Sequence, residues 1–266
     1  MSESKKSARE QAAAARSDQL AAEKRRDRMI KIIGALVVLV VVGGIIAAAV
    51  ITSKSKEQAK EDATKPDKSH ASPTGTNPET YGYVVNASAP TTGIPQVQLW
   101  EDFQCPACKA FEDAGGVSTL EGLATAKTIN LQLRPTTFLD ANLNNTASAA
   151  ATSAWGCAID GGKALEYHKI VYANQPQKEG AGYTQEQLLS FGQQAGLNGD
   201  AYNKFADCTN KSTYLGWSAN SNAQFAPSFP DPSKASTPAM FVNGKQVQIT
   251  TTDPKALLAS IEAAAK

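Results

Sequence analysis

The sequence has little net charge, few histidines and few cysteines, and each shortage disfavours a class of function. Its 266 residues carry a formal net charge of +1, which argues against a nucleic-acid-binding protein, because such proteins need a basic surface. Of the two histidines, His70 and His168, only His168 is a candidate base for a Cys–His hydrolase, and we expect it to be a packed helix residue. The four cysteines form one close pair and two distant residues, which disfavours a zinc site, since structural zinc sites usually draw ligands from two close pairs.

One long hydrophobic run stands near the N-terminus. Residues 1–31 are rich in Lys and Arg, and residues 32–51 contain no charged side chain. A run of that length can cross a hydrocarbon core of about 30 Å as a helix. Because basic residues crowd its N-terminal side, we expect residues 1–31 to be a basic cytoplasmic tail and residues 32–51 a single transmembrane helix of the cell membrane. The rest of the chain is then expected outside the cytoplasm.

An uncleaved membrane anchor has a rival interpretation, a cleaved signal peptide. Ala47-Ala48-Ala49 offers a small-residue cleavage site. Against cleavage, the run is longer than the apolar core of about 7 to 15 residues in signal peptides, and the tail before it is long. No cysteine lies near the end of the run, which excludes a lipoprotein.

The remaining residues divide into a polar segment and a globular part. Residues 52–80 are rich in Lys, Ser, Thr, Pro and acidic residues and poor in apolar ones, so we expect a flexible linker. From residue 81 onward, alternating apolar residues predict strands, helical spacing predicts helices, and an Asn-Gly pair predicts a hairpin. Strands are expected at residues 83–85, 96–103 and 128–134, a helix ending near residue 113 at Gly115-Gly116, a helical block at 145–226, a hairpin at 239–249 and a last helix at 255–265.

The most informative motif is Cys105-Pro106-Ala107-Cys108, which follows the strand predicted at residues 96–103. A thiol pair with this spacing at a strand-to-helix junction is typical of disulfide exchange. The helix N-terminus favours the thiolate of Cys105, Pro106 suits the first helical turn, and Cys108 is placed to resolve a mixed disulfide. The alternatives are two ordinary core cysteines or half of a zinc site.

Cys157 and Cys208 both fall in the predicted helical block. Disulfides persist outside the cytosol, and pairing these residues would close a loop of about fifty residues, for which loop-closure entropy predicts roughly 4 kcal/mol of stabilisation. We therefore expect a structural disulfide. Two separate buried thiols, or a zinc site that uses all four cysteines, are the alternatives.

Three segments together resemble the DsbA-type thiol-disulfide oxidoreductases. The resemblance covers about residues 81–266 and implies an α/β thioredoxin fold with an all-helical domain inserted at about residues 136–227. The segments are EDFQCPAC at residues 101–108, EYHKIVYANQP at 166–176 and STPAMFVNGK at 236–245.

The resemblance also implies how the site is built. Pro238 is expected to follow a cis peptide bond and to lie against the C-x-x-C pair, where Thr237 offers backbone hydrogen bonds to a substrate strand. Pro106 and Ala107 are expected to contact the substrate beside it. Family members need no metal or organic cofactor, and a quinone-linked integral membrane protein usually reoxidises them.

The sequence departs from the family pattern at two places near the cysteines. Ala107 stands where strong oxidases of the family often carry His, so we expect the pKa of Cys105 near the middle of the range of roughly 3.5 to 7.5 seen for cysteines at helix N-termini. Leu99 replaces an acidic residue that some relatives bury beneath the active site. Glu101 or Asp102 is therefore a candidate proton acceptor for Cys108, the alternative being that both are exposed carboxylates at the strand end.

These observations predict a membrane-tethered, extracytoplasmic oxidoreductase that introduces disulfide bonds into reduced exported proteins through Cys105 and Cys108. No dimerisation segment is recognised, so a monomer is expected. The alternatives are an extracytoplasmic disulfide reductase or isomerase, and an exported client-binding module in which thiol chemistry plays no part.

Overall fold

The computed structural model describes residues 65–88 and 92–266. The predicted cytoplasmic tail, the predicted transmembrane helix and the first part of the predicted linker lie outside these residues. Within the two described ranges, none of the helices combines the length and the hydropathy that a membrane span requires.

A five-stranded mixed sheet lies at the centre of the fold, with strand order β1-β3-β2-β4-β5. Strands β2 and β3 pair in parallel, whereas β1 with β3, β2 with β4, and β4 with β5 pair antiparallel. The strands are β1 (Tyr83–Val84), β2 (Gln96–Glu101), β3 (Asn130–Pro135), β4 (Ala239–Val242) and β5 (Lys245–Val247).

Helices surround the sheet, and six of them, α3–α8, lie between β3 and β4. They occupy residues 138–225, within the stretch where the sequence predicts a helical insertion. The helices are α1 (Pro106–Asp113), α2 (Gly116–Thr125), α3 (Phe138–Leu143), α4 (Ala147–Asp160), α5 (Ala164–Ala173), α6 (Gln185–Gln194), α7 (Gly199–Asn210), α8 (Leu215–Phe225) and α9 (Pro254–Ala265).

Strand β2 is covered on both of its faces, and its last three residues are buried. Val97 and Leu99 alternate onto one face and join the main core. Trp100 points to the other face, where its ring centroid lies 5.3 Å from that of Phe225 in α8. The end of β2 is therefore enclosed by the helical block, and this places the residues that follow it in a buried environment.

A disulfide joins Cys157 in α4 to Cys208 in α7, with a Cα–Cα distance of 5.8 Å. The bond links two helices of the inserted block that are 51 residues apart in the chain. It therefore restrains the insertion and does not involve the C-x-x-C motif.

The flexible linker predicted up to residue 80 is wrong for its described part, residues 65–80. Asp67 N donates to Asn220 Oδ1 at 2.7 Å, and Thr74 N donates to Asp160 Oδ1 at 2.8 Å. Pro73 is buried, and a Cβ on Gly156 of α4 would press against its ring. The segment is polar in composition, but its backbone N–H groups donate to side chains of the helical block. The Pro73 ring packs against that block at Gly156, which has no side chain in the way.

The helix that carries the C-x-x-C motif ends at Asp113, as predicted. Gly115, with φ 78°, follows it, and α2 begins at the next residue. A side chain on Gly116 would overlap the Phe111 ring, so the glycine pair allows a tight turn between two helices. In the hairpin, Asn243 and Gly244 both have positive φ, 48° and 81°, as in a two-residue type I′ turn. The second strand therefore starts at Lys245, two residues earlier than the apolar residues alone suggest.

Candidate active site

Cys105 and Cys108 lie at the N-terminus of α1. Cys105 is the N-cap residue, with φ −75° and ψ 118°, and Pro106 begins the helix, where its missing N–H leaves no helical hydrogen bond unmade. Cys105 is 7% exposed and Cys108 is fully buried. Both thiols are free, so the structure describes the dithiol form.

The loop before β4 meets this pair. The Thr237–Pro238 peptide bond is cis, and Cys105 Sγ lies 3.5 Å from the Thr237 carbonyl oxygen. Pro106 and Ala107 are exposed. The residues that the resemblance assigns to substrate contact thus border the Cys105 sulfur from two segments of the chain.

The two sulfurs differ in acidity. The hydrogen bond from the Cys108 thiol, with smaller contributions from Thr237 and from the backbone N–H groups of Cys108 and Ala107, lowers the pKa of Cys105 to about 6, although burial acts in the opposite direction. Burial, followed by the hydrogen bond with Cys105 and the charge of Glu101, raises the pKa of Cys108 well above its usual value. At neutral pH Cys105 is therefore mostly thiolate and Cys108 remains a thiol.

The helical block fixes the loop between β2 and α1. Gln104 Nε2 donates to Ser148 Oγ in α4 at 2.8 Å. The Phe103 carbonyl accepts from Tyr183 Oη and from Gln175 Nε2, each at 2.8 Å. Side chains of the insertion therefore hold the backbone that presents Cys105.

Asp102 is fully buried, and the predicted alternative of an exposed carboxylate is wrong for it. Its carboxylate accepts hydrogen bonds from Gln104 N at 2.9 Å, from Leu139 N at 3.1 Å and from Ser148 Oγ at 2.5 Å. Burial raises the pKa of Asp102 to about 7, and these hydrogen bonds oppose the shift. The partners belong to the loop and to the helical block, so Asp102 joins the two.

Glu101 is also buried, at 5% exposure, because the helical block covers the end of β2. Burial, then the charges of Glu112 and Cys105, raise the pKa of Glu101 well above its usual value. Neither of its carboxylate oxygens has an aligned hydrogen-bond partner. Of the two candidate proton acceptors, Glu101 is thus the one whose charge acts on Cys108.

Two residues that the sequence analysis did not assign to the site complete the surroundings of Glu101. His168 in α5 lies with Nε2 3.5 Å from Glu101 Oε2 and Nδ1 3.0 Å from Glu112 Oε1. Glu112 lies one turn after Cys108 on α1, and that spacing of four residues is a signal that could have identified it. His168 is packed, as expected, but it also stands between two carboxylates.

Glu101, Glu112 and His168 are also the three residues, within the part of the chain described, whose potential metal-ligating atoms lie within 4.8 Å of one another. Each ring nitrogen, however, faces a different carboxylate. A metal ion would bind one nitrogen of the ring and draw both carboxylates towards that side. The arrangement is therefore an imidazole between two acids and not a chelating site.

The sequence was also compared with known families. Residues 87–263 match the family model described as Thioredoxin. This chain belongs to the thioredoxin family. No curated protein matches it.

Three solved structures are among those similar to this thioredoxin-family protein. DsbA of Mycobacterium tuberculosis is 24% identical, with a TM-score of 0.53, and the match covers 68% of this chain and 87% of that one. MdbA of Corynebacterium diphtheriae, named as a thiol-disulfide oxidoreductase, is 17% identical with a TM-score of 0.57, covering 73% and 92%. BdbD of Bacillus subtilis is 15% identical with a TM-score of 0.55, covering 74% and 97%.

At these identities the likeness establishes the fold. The expected thioredoxin fold is confirmed, and its structural neighbours are DsbA-type proteins with names that denote disulfide oxidoreductases. The membrane anchor and the extracytoplasmic location stay predictions.

Proposed function

We propose that this protein is a membrane-tethered, extracytoplasmic thiol-disulfide oxidoreductase that acts as a monomer and introduces disulfide bonds into exported proteins. The observation that carries the proposal is the asymmetry of the pair. Cys105 borders the surface with a pKa lowered to about 6, while Cys108 is fully buried. Cys105 is thus suited to react with a client and to leave as a thiolate. Cys108 is suited to resolve a mixed disulfide between Cys105 and a client.

The reaction follows from these positions. A client thiolate attacks Cys105 Sγ of the oxidised enzyme, the bond between Cys105 and Cys108 breaks, and the Cys108 sulfur takes up a proton. A second client thiolate then attacks the client sulfur of the mixed disulfide, and Cys105 leaves as a thiolate. The client loses two electrons and gains a disulfide, and the enzyme gains a dithiol.

The direction of the exchange depends on the stability of the reduced enzyme. A lowered pKa of Cys105 stabilises the dithiol form, since the thiolate is then the favoured species. A stable dithiol makes the disulfide form a better oxidant. This favours an oxidase over a reductase, although Ala107 supplies no hydrogen-bonding side chain that would lower the pKa of Cys105 further.

Client binding is assigned to the surface next to Cys105. The backbone of Thr237, beside the cis bond to Pro238, supplies hydrogen bonds to an extended client segment. Pro106 and Ala107, both exposed, contact the same segment. Glu101 exchanges a proton with Cys108, whereas Asp102 has a structural role.

Location and reoxidation complete the proposal. Residues 32–51 would hold the protein in the cell membrane with its N-terminus in the cytoplasm, and the disulfide between Cys157 and Cys208 suits an oxidising compartment. A quinone-linked integral membrane protein would then take electrons from the reduced pair. No metal or organic cofactor is required by this chemistry.

Equilibration of the pair with glutathione tests the direction. We expect a reduction potential above about −200 mV, closer to the value of about −120 mV for a strong oxidase than to about −270 mV for thioredoxin. A potential near that of thioredoxin would favour the reductase. Full activity in Cys105→Ala would instead favour the client-binding module.

Trapping of clients tests location. In Cys108→Ala the Cys105 thiolate can attack the disulfide of an oxidised client, and no enzyme thiol remains to release that client, so clients stay attached and can be identified by mass spectrometry. Exported proteins are expected among them. If only cytoplasmic proteins were captured, or if labelling placed Cys105 in the cytoplasm, the extracytoplasmic role would be wrong.

A further inference from the structure

We propose that Glu112, His168 and Glu101 form a buried proton relay that serves the Cys108 sulfur, with His168 as the positioning residue between the two carboxylates. The inference rests on the proposed thiol-disulfide exchange and assigns a role to groups that this exchange leaves unexplained. Cys108 must gain a proton whenever its disulfide opens and lose one whenever it closes. Since Cys108 has no exposed surface, that proton needs a path through the protein.

The first group of the path is Glu101. Its charge raises the pKa of Cys108, and the charge of Cys105 in turn raises the pKa of Glu101, so the carboxyl and the two sulfurs are electrostatically coupled. Both oxygens of Glu101 are buried without an aligned hydrogen-bond partner. A buried carboxyl with no donor to stabilise its anion is a suitable carrier of a proton.

The second group is His168, whose two ring nitrogens face different acids. Nε2 lies 3.5 Å from Glu101 Oε2 and Nδ1 lies 3.0 Å from Glu112 Oε1. An imidazole can accept a proton at one nitrogen and release another from the opposite nitrogen. The ring therefore lies between two carboxylates on different elements, β2 and α1. Like the oxygens of Glu101, His168 Nδ1 and Glu112 Oε1 have no aligned hydrogen-bond partner, so these atoms are free to exchange a proton once the ring and the carboxylates align.

The ring is held in this position by aromatic packing. The centroids of Phe103, Trp155 and Tyr172 lie 5.3, 5.2 and 5.1 Å from that of His168. A cavity of about 10 Å³, lined by Glu101 and His168 among others, is just large enough for about one water molecule. Such a water would complete the hydrogen bonds that Glu101 lacks.

The third group is Glu112, which leads towards the surface. It lies one turn after Cys108 on α1, its side chain is 6% exposed, and the next residue, Asp113, is exposed. Glu112 is therefore the outermost member of the path. A proton that reaches it from solvent can pass to His168 and then to Glu101.

Other ionisable groups near the path do not replace it. Within the described residues, the groups that act on or border Glu101, His168 and Cys108 are Cys105, Glu121, Arg134 and Tyr172. Glu121 is paired with Lys169 at 2.6 Å, and Arg134 donates to Gln98 Oε1 at 3.0 Å. Glu121 and Arg134 therefore already have partners outside the path. Tyr172 keeps its proton, because burial raises its pKa well above the usual value. Cys105 is the other reacting sulfur.

The proton balance is the same in both directions. When the disulfide opens, the Cys108 thiolate takes a proton from the Glu101 carboxyl, and His168 restores it with a proton that Glu112 receives from solvent. When Cys108 attacks the mixed disulfide, Glu101 removes the thiol proton and the same groups carry it outward. No oxidant or cofactor takes part in these transfers.

The test follows the step in which Cys108 must lose its proton. Reduced protein is mixed with glutathione disulfide, and the release of glutathione from the mixed disulfide at Cys105 is measured in single turnover, in H2O and in D2O, over a range of pH and buffer concentration. We expect His168→Gln to slow this release by about 10-fold or more at neutral pH. The variant should also become dependent on buffer concentration, since small bases would then replace the relay.

Two matched variants complete the experiment. Glu112→Gln is expected to show a smaller loss with the same buffer dependence, and it carries the test if His168→Gln does not fold. His70→Gln, which changes the other histidine of the sequence, should release glutathione at the wild-type rate. Equal rates in wild type and His168→Gln, with no buffer dependence, would overturn the relay, as would stoichiometric binding of Zn²⁺ that depends on His168.

This measurement needs no client protein. If the wild type reacts with glutathione disulfide but cannot oxidise a dithiol peptide, the proposed function fails and the relay stands. If the wild type does oxidise the peptide and His168→Gln releases glutathione equally fast, the relay fails and the function stands.

Discussion

The two cysteine pairs of this chain differ in spacing, in bonding and in their neighbours. Cys105 and Cys108 share the first turn of one helix and are free thiols. Cys157 and Cys208 lie on different helices, 51 residues apart, and are joined by a disulfide. Both pairs belong to the same compact α/β structure, so the contrast arises from local environment.

That contrast separates a reactive pair from a structural one. At the helix N-terminus, hydrogen bonds lower the pKa of Cys105. This stabilises the reduced form, with its thiolate, relative to the disulfide form, so the pair can be both oxidised and reduced. At the second pair, a disulfide closes a long loop, whose entropy in the unfolded chain is thereby reduced. Three substitution experiments and one measurement of stability against pH can break or sharpen this division.

The largest effect is expected from loss of the attacking sulfur. Cys105→Ser should lower turnover of a dithiol peptide by on the order of 1,000-fold or more, because a hydroxyl cannot form the mixed disulfide. The rate of peptide oxidation under redox buffer measures this. Retention of more than a tenth of the activity would show that Cys105 is not the reacting group.

The second pair provides the matched control. Cys157→Ser combined with Cys208→Ser should keep turnover near that of the wild type at 25 °C and lower Tm by about 10 °C, from the roughly 4 kcal/mol assigned to loop closure. Thermal unfolding followed by circular dichroism gives the Tm. Loss of activity at an unchanged Tm would reverse the assignment of the two pairs.

A smaller effect is expected on the acidity of Cys105 when its partner is removed. The Cys108 thiol makes the largest contribution to the lowered pKa of Cys105, so Cys108→Ala should move the thiolate titration upward by about one to two pH units. Ultraviolet absorbance of the thiolate measures the midpoint. An unchanged midpoint would mean that the helix N-terminus alone sets the acidity of Cys105.

Stability should depend on pH in the reduced form more than in the oxidised form. The pKa of Cys105 is lowered to about 6 in the folded protein, so its stabilising contribution is complete above the pKa of an unfolded cysteine and is lost as the pH falls through about 6. The Tm of the reduced protein relative to that of the oxidised protein should therefore decrease from about pH 9 to about pH 6. A difference that is constant across this range would contradict the shift.

Sequence patterns were sufficient where the structure is local. The C-x-x-C motif at a strand end, the alternating residues of β2 and the Asn243-Gly244 turn are set by neighbours in the chain. The thioredoxin fold followed from these patterns together with the resemblance of three segments. The pairing of Cys157 with Cys208 had a different basis, the expected oxidising compartment and the position of both residues in the helical block.

Contacts distant in the sequence could not be predicted in this way. Glu101 and Asp102 are buried because the helical block folds over the end of β2, and a strand-end carboxylate shows no sign of this in the sequence. The pairing of His168 with Glu101 and Glu112 joins three elements. Residues 65–80 look like a linker by composition, yet their backbone meets partners such as Asn220 only in the folded chain.

Alkylation of the reduced wild-type protein as a function of pH tests the central claim most directly. The rate of iodoacetamide addition at Cys105, identified by mass spectrometry, should rise to half its maximum near pH 6, since the pKa of Cys105 is lowered to about 6. Half-maximal reaction near the value of an ordinary cysteine thiol, about 8.5, would contradict the account.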